Sequence, residues 1–140
     1  MRLTEQTRYA LHVLAYCAAQ HPTLAKVAAI AAGTGITEQN IFKLIKVLAK
    51  AGFVETIRGP HGGVRLAMAP KAIRVGQVIR AIEPRFKACG PLGLMMSEEP
   101  VSAVERELDQ TIGRGIAAFM DTLDRTTIAA LIAKAPANAA

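Results

Sequence analysis

The stretch from Thr37 to Arg65 constrains the fold more than any other part of the chain. Thr37 can accept a hydrogen bond from a backbone N–H at the start of a helix, and Gly52 suits the left-handed position after its end. Residues 53–57 and 64–67 are predicted to be short strands, because glycines and a proline bend the chain between them. Between Thr37 and Gly52, hydrophobic residues recur at spacings that form one face of a helix: Ile41, Leu44, Ile45 and Leu48.

Two further helices are predicted before this stretch. The first runs from Glu5 to Ala19 with Thr4 as its N-cap, and the second runs from about Leu24 to Ala32 with Thr23 as its N-cap. A glycine-containing turn at residues 33–35 joins the second helix to the third, which is the arrangement of a helix-turn-helix. The fold class that we expect is therefore mainly α with a small β-hairpin wing, a winged helix-turn-helix.

The second half of the chain is predicted to contain three helices and one long loop. Residues 73–83 have helical periodicity, whereas residues 85–99 contain Pro91 and several glycines without such periodicity and are predicted to be a loop. A long helix is predicted from Ser97 to about Leu123, and a short one from Thr127 to Ala133.

The long helix carries one apolar stripe, formed by Val101, Val104, Leu108, Ile112, Ile116, Phe119 and Leu123. A small domain has no obvious use for a single amphipathic helix of this length, so we expect a dimerisation helix that packs against a twofold copy. A core helix within one chain is the alternative. The domains expected are a winged helix-turn-helix DNA-binding domain in residues 1–83, a sensor loop in 84–99, and the dimerisation and C-terminal helices in 100–140.

The charge is distributed unevenly along the chain. Residues 1–80 contain eleven lysines and arginines against three glutamates, whereas residues 81–140 contain six basic against eight acidic residues. These parts carry +8 and −2, which agrees with the net charge of +6. A basic half joined to a slightly acidic half favours a protein that binds a polyanion. Chance asymmetry of an ordinary surface is the alternative, since basic charge alone is not specific to nucleic acid.

The two cysteines, Cys17 and Cys89, are weak evidence for an oxidising compartment. No apolar run is long enough to span a bilayer, and Met1 leads directly into a helical pattern without a signal peptide. We therefore expect a cytoplasmic protein with free thiols and no membrane partner. Cys17 lies on the apolar face of the first helix and is expected to be a core residue.

The polar face of the third helix carries half of the candidate DNA-binding residues, which are Thr37, Glu38, Gln39, Asn40, Phe42, Lys43 and Lys46. Glutamine and asparagine can pair with adenine and glutamate can accept from cytosine, whereas lysines are expected to contact phosphates. Phe42 either contacts a thymine methyl group or packs within the domain, and the sequence does not choose between these two roles.

The predicted wing carries further candidates. Arg58 is the candidate for insertion into a minor groove. His61 and the backbone N–H groups of Gly62 and Gly63 are candidates for phosphate contact, although the glycines could serve only the turn. Arg65 is either a DNA contact or a solvated strand residue. Two more phosphate contacts are predicted near the start of the chain, Arg2 and Tyr9.

Four segments together resemble one bacterial family of winged helix-turn-helix transcription regulators: RLTEQTRYAL, a turn containing GIT, RGPHGGVRLA and VGQVIRAIEP. The family includes the iron–sulfur cluster regulator IscR, the nitric-oxide sensor NsrR and the cysteine-metabolism repressor CymR. The resemblance extends from Arg2 to about Ile132. It implies a homodimer that binds a pseudo-palindromic operator in double-stranded DNA, with the long helix as the dimer interface.

The resemblance also implies an iron–sulfur cluster in many members, held by three cysteines of the loop before the dimerisation helix. Here Cys89 is the only cysteine of that loop, which excludes ligation by three cysteines. A cluster with non-standard ligation through Cys89, His12 and further non-cysteine groups is one alternative. A redox-sensitive thiolate, favoured by the nearby cations Arg85 and Lys87, is another. A cysteine left over from a lost cluster site is the third.

The function expected is a homodimeric, sequence-specific transcription regulator of the repressor type. It would respond to redox, nitric oxide or iron–sulfur status through the loop containing Cys89. The alternatives are a cluster-free regulator with thiol sensing or none, and a helix-turn-helix module that binds proteins rather than specific DNA. An enzyme is not expected, because the sequence has no paired carboxylates in a pocket-like context, no nucleophile with a base and no phosphate-cradling motif.

Overall fold

The computed structural model describes residues 3–83, 86 and 102–135. These residues form a mainly helical fold with one antiparallel β-hairpin, which confirms the predicted fold class. The helices are α1 (Glu5–Ala19), α2 (Val27–Thr34), α3 (Glu38–Lys50), α4 (Val75–Ile82), α5 (Ala103–Asp124) and α6 (Ile128–Lys134). The strands are β1 (Val54–Ile57) and β2 (Gly63–Leu66), and a short 3-10 helix spans Pro70–Ala72.

Helix α1 has the predicted bounds, and its cap has the predicted chemistry. The Thr7 backbone N–H donates to the Thr4 hydroxyl at 3.3 Å, as an N-cap requires. Near the other end of α1, the ring of Tyr16 lies against Gly33 of α2. A Cβ atom on Gly33 would be 2.4 Å from that ring. Gly33 therefore allows the close packing of α1 on α2. The core face of α1 is formed by Ala10, Val13, Leu14 and Cys17.

The start of the second helix was predicted wrongly. Helix α2 begins at Val27 rather than at Leu24, and Thr23 is not its cap. Ala25 instead exchanges two backbone hydrogen bonds with Val64, of 2.8 and 2.9 Å, as a single paired residue beside the hairpin. The backbone is therefore extended where alanine-rich composition favours a helix, because strand pairing outweighs local propensity.

Helix α3 and the hairpin agree with the prediction to within one residue. The Asn40 backbone N–H donates to the Thr37 hydroxyl at 3.4 Å, and Gly52 has a left-handed φ of 80° just beyond the helix. The strands pair in register from Val54 with Leu66 to Ile57 with Gly63.

Helix α5 begins later than predicted. It starts at Ala103, and the hydroxyl of its N-cap Ser102 accepts from the Glu105 backbone N–H at 3.2 Å. Ser102 is extended, with φ of −141°, so a continuous helix cannot run from Ser97 through this residue. Of the predicted loop, Phe86 is described and is buried. Arg2, Cys89 and Val101 lie outside the described residues, as does most of the predicted loop.

Specific bonds join the C-terminal helices to α4 and to the residues just before it. Arg80 of α4 donates to both carboxylate oxygens of Asp124, at 2.9 and 2.5 Å, and Arg74 donates to the Asp124 carbonyl at 2.7 Å. The Ile128 backbone N–H donates to the Ile73 carbonyl at 2.9 Å, and the Ile128 side chain is fully buried. Helix α6 thus packs against α1 in the common core. Within the described ranges, no helix has both the length and the apolar character that a bilayer crossing needs.

Candidate nucleic-acid interface

The outer face of α3 presents the predicted DNA-binding side chains to solvent on one continuous surface. Its exposed residues are Thr37, Glu38, Gln39, Asn40, Phe42, Lys43, Lys46 and Lys50. The opposite face is anchored in the core, where Ile41 and Leu48 are fully buried. The amphipathic spacing therefore fixes which side of α3 is available to a partner.

Phe42 is 53% exposed. Two other large apolar residues of α3, Ile41 and Leu44, are only 0% and 2% exposed. The sequence left two roles open for Phe42. In the described structure its side chain does not pack within the domain. Phe42 instead lies among the polar and cationic residues of the outer face.

The cations of this face are available to a polyanion. None of the ion pairs found among residues 3–83, 86 and 102–135 includes Lys43, Lys46 or Lys50. The start of α3 adds the partial positive charge of a helix N-terminus, although Glu38 in its first turn offsets part of it. The resulting surface combines unpaired cations with polar side chains, which is the composition of a nucleic-acid contact.

A cleft of about 250 Å³ separates α3 from the beginning of α1. Its walls are Glu5, Gln6, Tyr9, Asn40, Lys43 and Leu44. A hydrogen bond to the Glu5 carboxylate raises the pKa of Tyr9, so the phenol O–H already has an acceptor within α1. Tyr9 lies beside the outer face of α3, and a phosphate contact from its O–H would replace the bond to Glu5. Glu5 and Gln6 were not predicted at this site, because no periodicity in the sequence brings α1 to α3.

The hairpin lies directly next to α3, since the Phe53 backbone N–H donates to the Leu48 carbonyl at 2.9 Å. At its tip, Gly62 donates its own N–H to the Gly59 carbonyl at 3.0 Å. A Cβ on Gly62 would be 2.0 Å from the Ile57 carbonyl oxygen. These two observations favour the alternative in which Gly62 serves the turn, because its N–H already has an acceptor and a side chain there would meet the backbone.

Other polar groups of the hairpin are held by neighbours or left exposed. Arg65 forms an ion pair with Glu55, which lies directly opposite on β1, so it is in part a strand-pairing residue. Arg58 and His61 are exposed at the tip. Lys26, which was not predicted to take part, donates from Nζ to the Pro60 carbonyl at 2.7 Å and joins the start of α2 to the tip. Gly63, the other glycine considered for phosphate contact, pairs with Ile57 at the end of the hairpin.

The described residues offer little to a metal. Cys17 is fully buried, and burial raises the pKa of its thiol to about 11, so it is a protonated core residue as predicted. His12 is exposed on α1, and no group of three His, Cys, Asp or Glu side chains with metal-binding geometry occurs in the described part of the chain. With Cys17 buried, Cys89 is the one remaining thiol of the chain. This donor set does not fit a cluster held mainly by cysteines.

Comparison with known proteins identifies the family. Residues 3–134 match the Rrf2 family, described as iron-dependent transcriptional regulators. The chain belongs to the Rrf2 family. Rrf2 regulators bind DNA, typically act as dimers and are not enzymes, which confirms the predicted absence of catalysis.

Individual relatives match over different lengths. NsrR of Bacillus licheniformis, an HTH-type transcriptional regulator, is 34% identical over 133 residues, which are 94% of this chain and 92% of that protein. Protein aau3 of Rhizobium meliloti is 43% identical over 86 residues, so the match spans 56% of its length. The structure of CymR, the global cysteine regulator of B. subtilis, has a TM-score of 0.77 at 29% identity and covers 97% of this chain and 99% of its own.

Proposed function

We propose that this Rrf2 protein is a homodimeric, sequence-specific transcription regulator of the repressor type that binds a pseudo-palindromic operator. The observation that carries the proposal is the exposed outer face of α3, with unpaired cations and polar side chains next to the hairpin. In this arrangement α3 enters a major groove and the hairpin contacts the adjoining backbone or minor groove.

The residues of the outer face divide by chemistry. Gln39, Asn40 and Glu38 have the donors and acceptors that read base edges. Lys43 and Lys46 supply phosphate contacts, and Tyr9 adds one from α1. From the hairpin, Arg58 reaches the minor groove and His61 contacts phosphate, while Gly63 and Arg65 are secondary candidates. Arg2 is proposed as a further phosphate contact.

The dimer would form through α5. Val104, Leu108 and Phe119 are 77%, 55% and 38% exposed, and the other members of the predicted stripe within the helix, Ile112, Ile116 and Leu123, are half-buried. A row of exposed apolar side chains is costly in water and is covered when two copies pack with twofold symmetry. We propose that this stripe, extended by Val101, is the dimer interface and sets the spacing of the two α3 helices.

The signal is proposed to act through the segment 84–99. That segment follows Glu83, whose carboxylate binds the start of α1, and α1 borders α3 across the cleft. The predicted response to redox, nitric oxide or iron–sulfur status would use Cys89. The single remaining thiol favours the cluster-free alternative, in which Cys89 is a redox-sensitive thiol or has no sensing role. The iron content of protein purified without oxygen separates the two: iron that disappears in Cys89→Ala supports the cluster, and iron-free protein supports the alternative.

The test of DNA recognition is selection from a pool of randomised duplexes at fixed salt. We expect enrichment of a twofold-symmetric sequence that the protein binds at least about 1000-fold more tightly than random duplex. Lys43→Ala should weaken this binding, whereas the exposed Lys134→Ala on α6 serves as a matched control and should not. Binding no tighter than to random duplex would instead support a protein-binding module. Specific binding that is unchanged in Lys43→Ala and Arg58→Ala would show that these two residues are not the DNA contacts.

A further inference from the structure

Phe42 is an apolar side chain on a surface whose other exposed members are polar. On a helix, residues three and four apart are neighbours, so Phe42 lies between Gln39, one turn earlier, and Lys46, one turn later. The four buried residues of α3 fill the core without it, and more than half of its side-chain surface meets solvent. Its position is therefore not explained by the stability of the domain.

The chemistry of the major groove supplies a partner for this side chain. The base edges there present hydrogen-bond donors and acceptors, and the thymine C5-methyl group is their apolar feature. Lys43, the next residue, and Lys46, one turn later, complement phosphates, which would bring the Phe42 side chain to the groove rather than to an apolar protein surface. We propose that Phe42 reads the C5-methyl group of one thymine in each half-site. The inference rests on the proposed DNA-binding function.

The spacing along α3 makes the proposal more specific. Gln39 and Phe42 are three positions apart, which is about 4.5 Å along a helix axis. Successive base pairs of DNA are about 3.4 Å apart, so the two side chains address neighbouring base pairs. Glutamine pairs with the N6 and N7 atoms of adenine. Each half-site is thus expected to contain two adjacent A·T pairs, one read by Gln39 and one by Phe42.

The test uses the duplex that the wild-type protein itself selects from a random pool. Each thymine in one half-site is replaced in turn by deoxyuridine, which keeps the base pair and removes only the methyl group. For the wild-type protein we expect one position at which this change lowers affinity about fourfold, the effect of losing one buried methyl contact. Phe42→Ala should bind the thymine duplex more weakly and show no further loss with deoxyuridine at that position.

Two additional variants control for indirect effects. Phe42→Leu keeps an apolar contact and should retain most of the discrimination. Leu131→Ala removes an exposed apolar side chain from α6 and should discriminate as the wild type does. Circular dichroism of Phe42→Ala is expected to match the wild type, because the side chain is largely outside the core.

The outcomes separate this inference from the function on which it rests. A selected operator without any deoxyuridine-sensitive position would overturn the role of Phe42 and leave specific DNA binding intact. Sensitivity that persists in Phe42→Ala would assign the methyl contact to another residue and would also overturn it. If no sequence is selected at all, the proposed function and the inference both fail.

Discussion

Glu83, the residue that follows α4, accepts a 2.8 Å hydrogen bond from the hydroxyl of Thr7 in α1. Both side chains are buried, with exposures of 2% and 0%. The same carboxylate oxygen accepts from the backbone N–H and the hydroxyl of Thr4, at 3.1 and 3.0 Å. One buried carboxylate therefore binds the N-terminus of α1 immediately before the segment proposed to receive the signal. The helix N-terminus also favours its negative charge.

Replacing this carboxylate should destabilise the fold. We expect Glu83→Ala to lower the free energy of unfolding by about 3 kcal/mol, because the buried hydroxyl of Thr7 and the half-buried donors of Thr4 lose a charged acceptor. Glu107→Ala on the exposed side of α5 is the matched control and should change it by less than about 0.5 kcal/mol. Urea denaturation measures both. Equal stabilities of the two variants would contradict the buried network.

The Arg80–Asp124 pair should give stability that depends on pH. The hydrogen bond from Arg80 lowers the pKa of Asp124, so its contribution is present at neutral pH and is lost as the pH falls through the lowered value. Asp124→Asn should therefore cost about 0.5–1 kcal/mol at neutral pH, a modest amount because the pair is about one-third exposed. In strong acid the free energies of unfolding of the variant and the wild type should converge.

The control is Asp121→Asn, whose ion pair with Arg125 is largely exposed. A cost that persists unchanged in acid would show that the carboxylate charge is not its source.

Cys17 should be chemically inert in the folded protein. Burial raises the pKa of its thiol to about 11, so little thiolate forms near neutral pH. In a Cys89→Ala background, a thiol reagent should label Cys17 only after denaturation. Because the pKa of the Cys17 thiol is higher in the folded than in the unfolded chain, protonation of this thiol stabilises the fold. That contribution is complete below the pKa of an exposed thiol and is lost as the pH rises toward about 11. Rapid labelling of the native variant would contradict the buried position.

The apolar stripe of α5 should control the oligomeric state. Leu108 is 55% exposed in the single chain, so Leu108→Asp should leave the helical content unchanged and place a charge in the proposed interface. Sedimentation is expected to give a dimer for the wild type and a monomer for the variant. Arg106→Ala, on the same helix, should remain dimeric. A wild-type monomer, or a dimeric Leu108→Asp variant, would remove α5 from the interface.

The sequence predicts best those elements whose signals are local. The caps at Thr4 and Thr37, the buried spacing of α3 and the left-handed Gly52 were all predictable, because each depends on residues within a few positions. The start of α5 was misplaced because Ser97 and Ser102 are both acceptable caps. Local chemistry alone does not choose between two such serines.

Long-range pairings were not predictable from the sequence. Ala25 is extended because it pairs with Val64, which is distant in sequence, and nothing near Ala25 signals this. The acceptor role of Glu83 toward Thr4 and Thr7, and the cleft between α1 and α3, likewise depend on packing between elements. For the candidate site, the face of α3 was predictable from periodicity, but the exposure of Phe42 required the structure.

The salt dependence of DNA affinity tests the central claim most directly. Each lysine of the α3 face that neutralises a phosphate should contribute about 0.9 to the slope of log affinity against log salt concentration. The double variant Lys43→Ala, Lys46→Ala should therefore have a shallower slope than the wild type, by about 2 for each protomer bound. Lys71→Ala, Lys134→Ala changes the net charge equally from outside α3 and should keep the wild-type slope. Equal slopes for the wild type and the α3 variant would show that this face does not contact DNA.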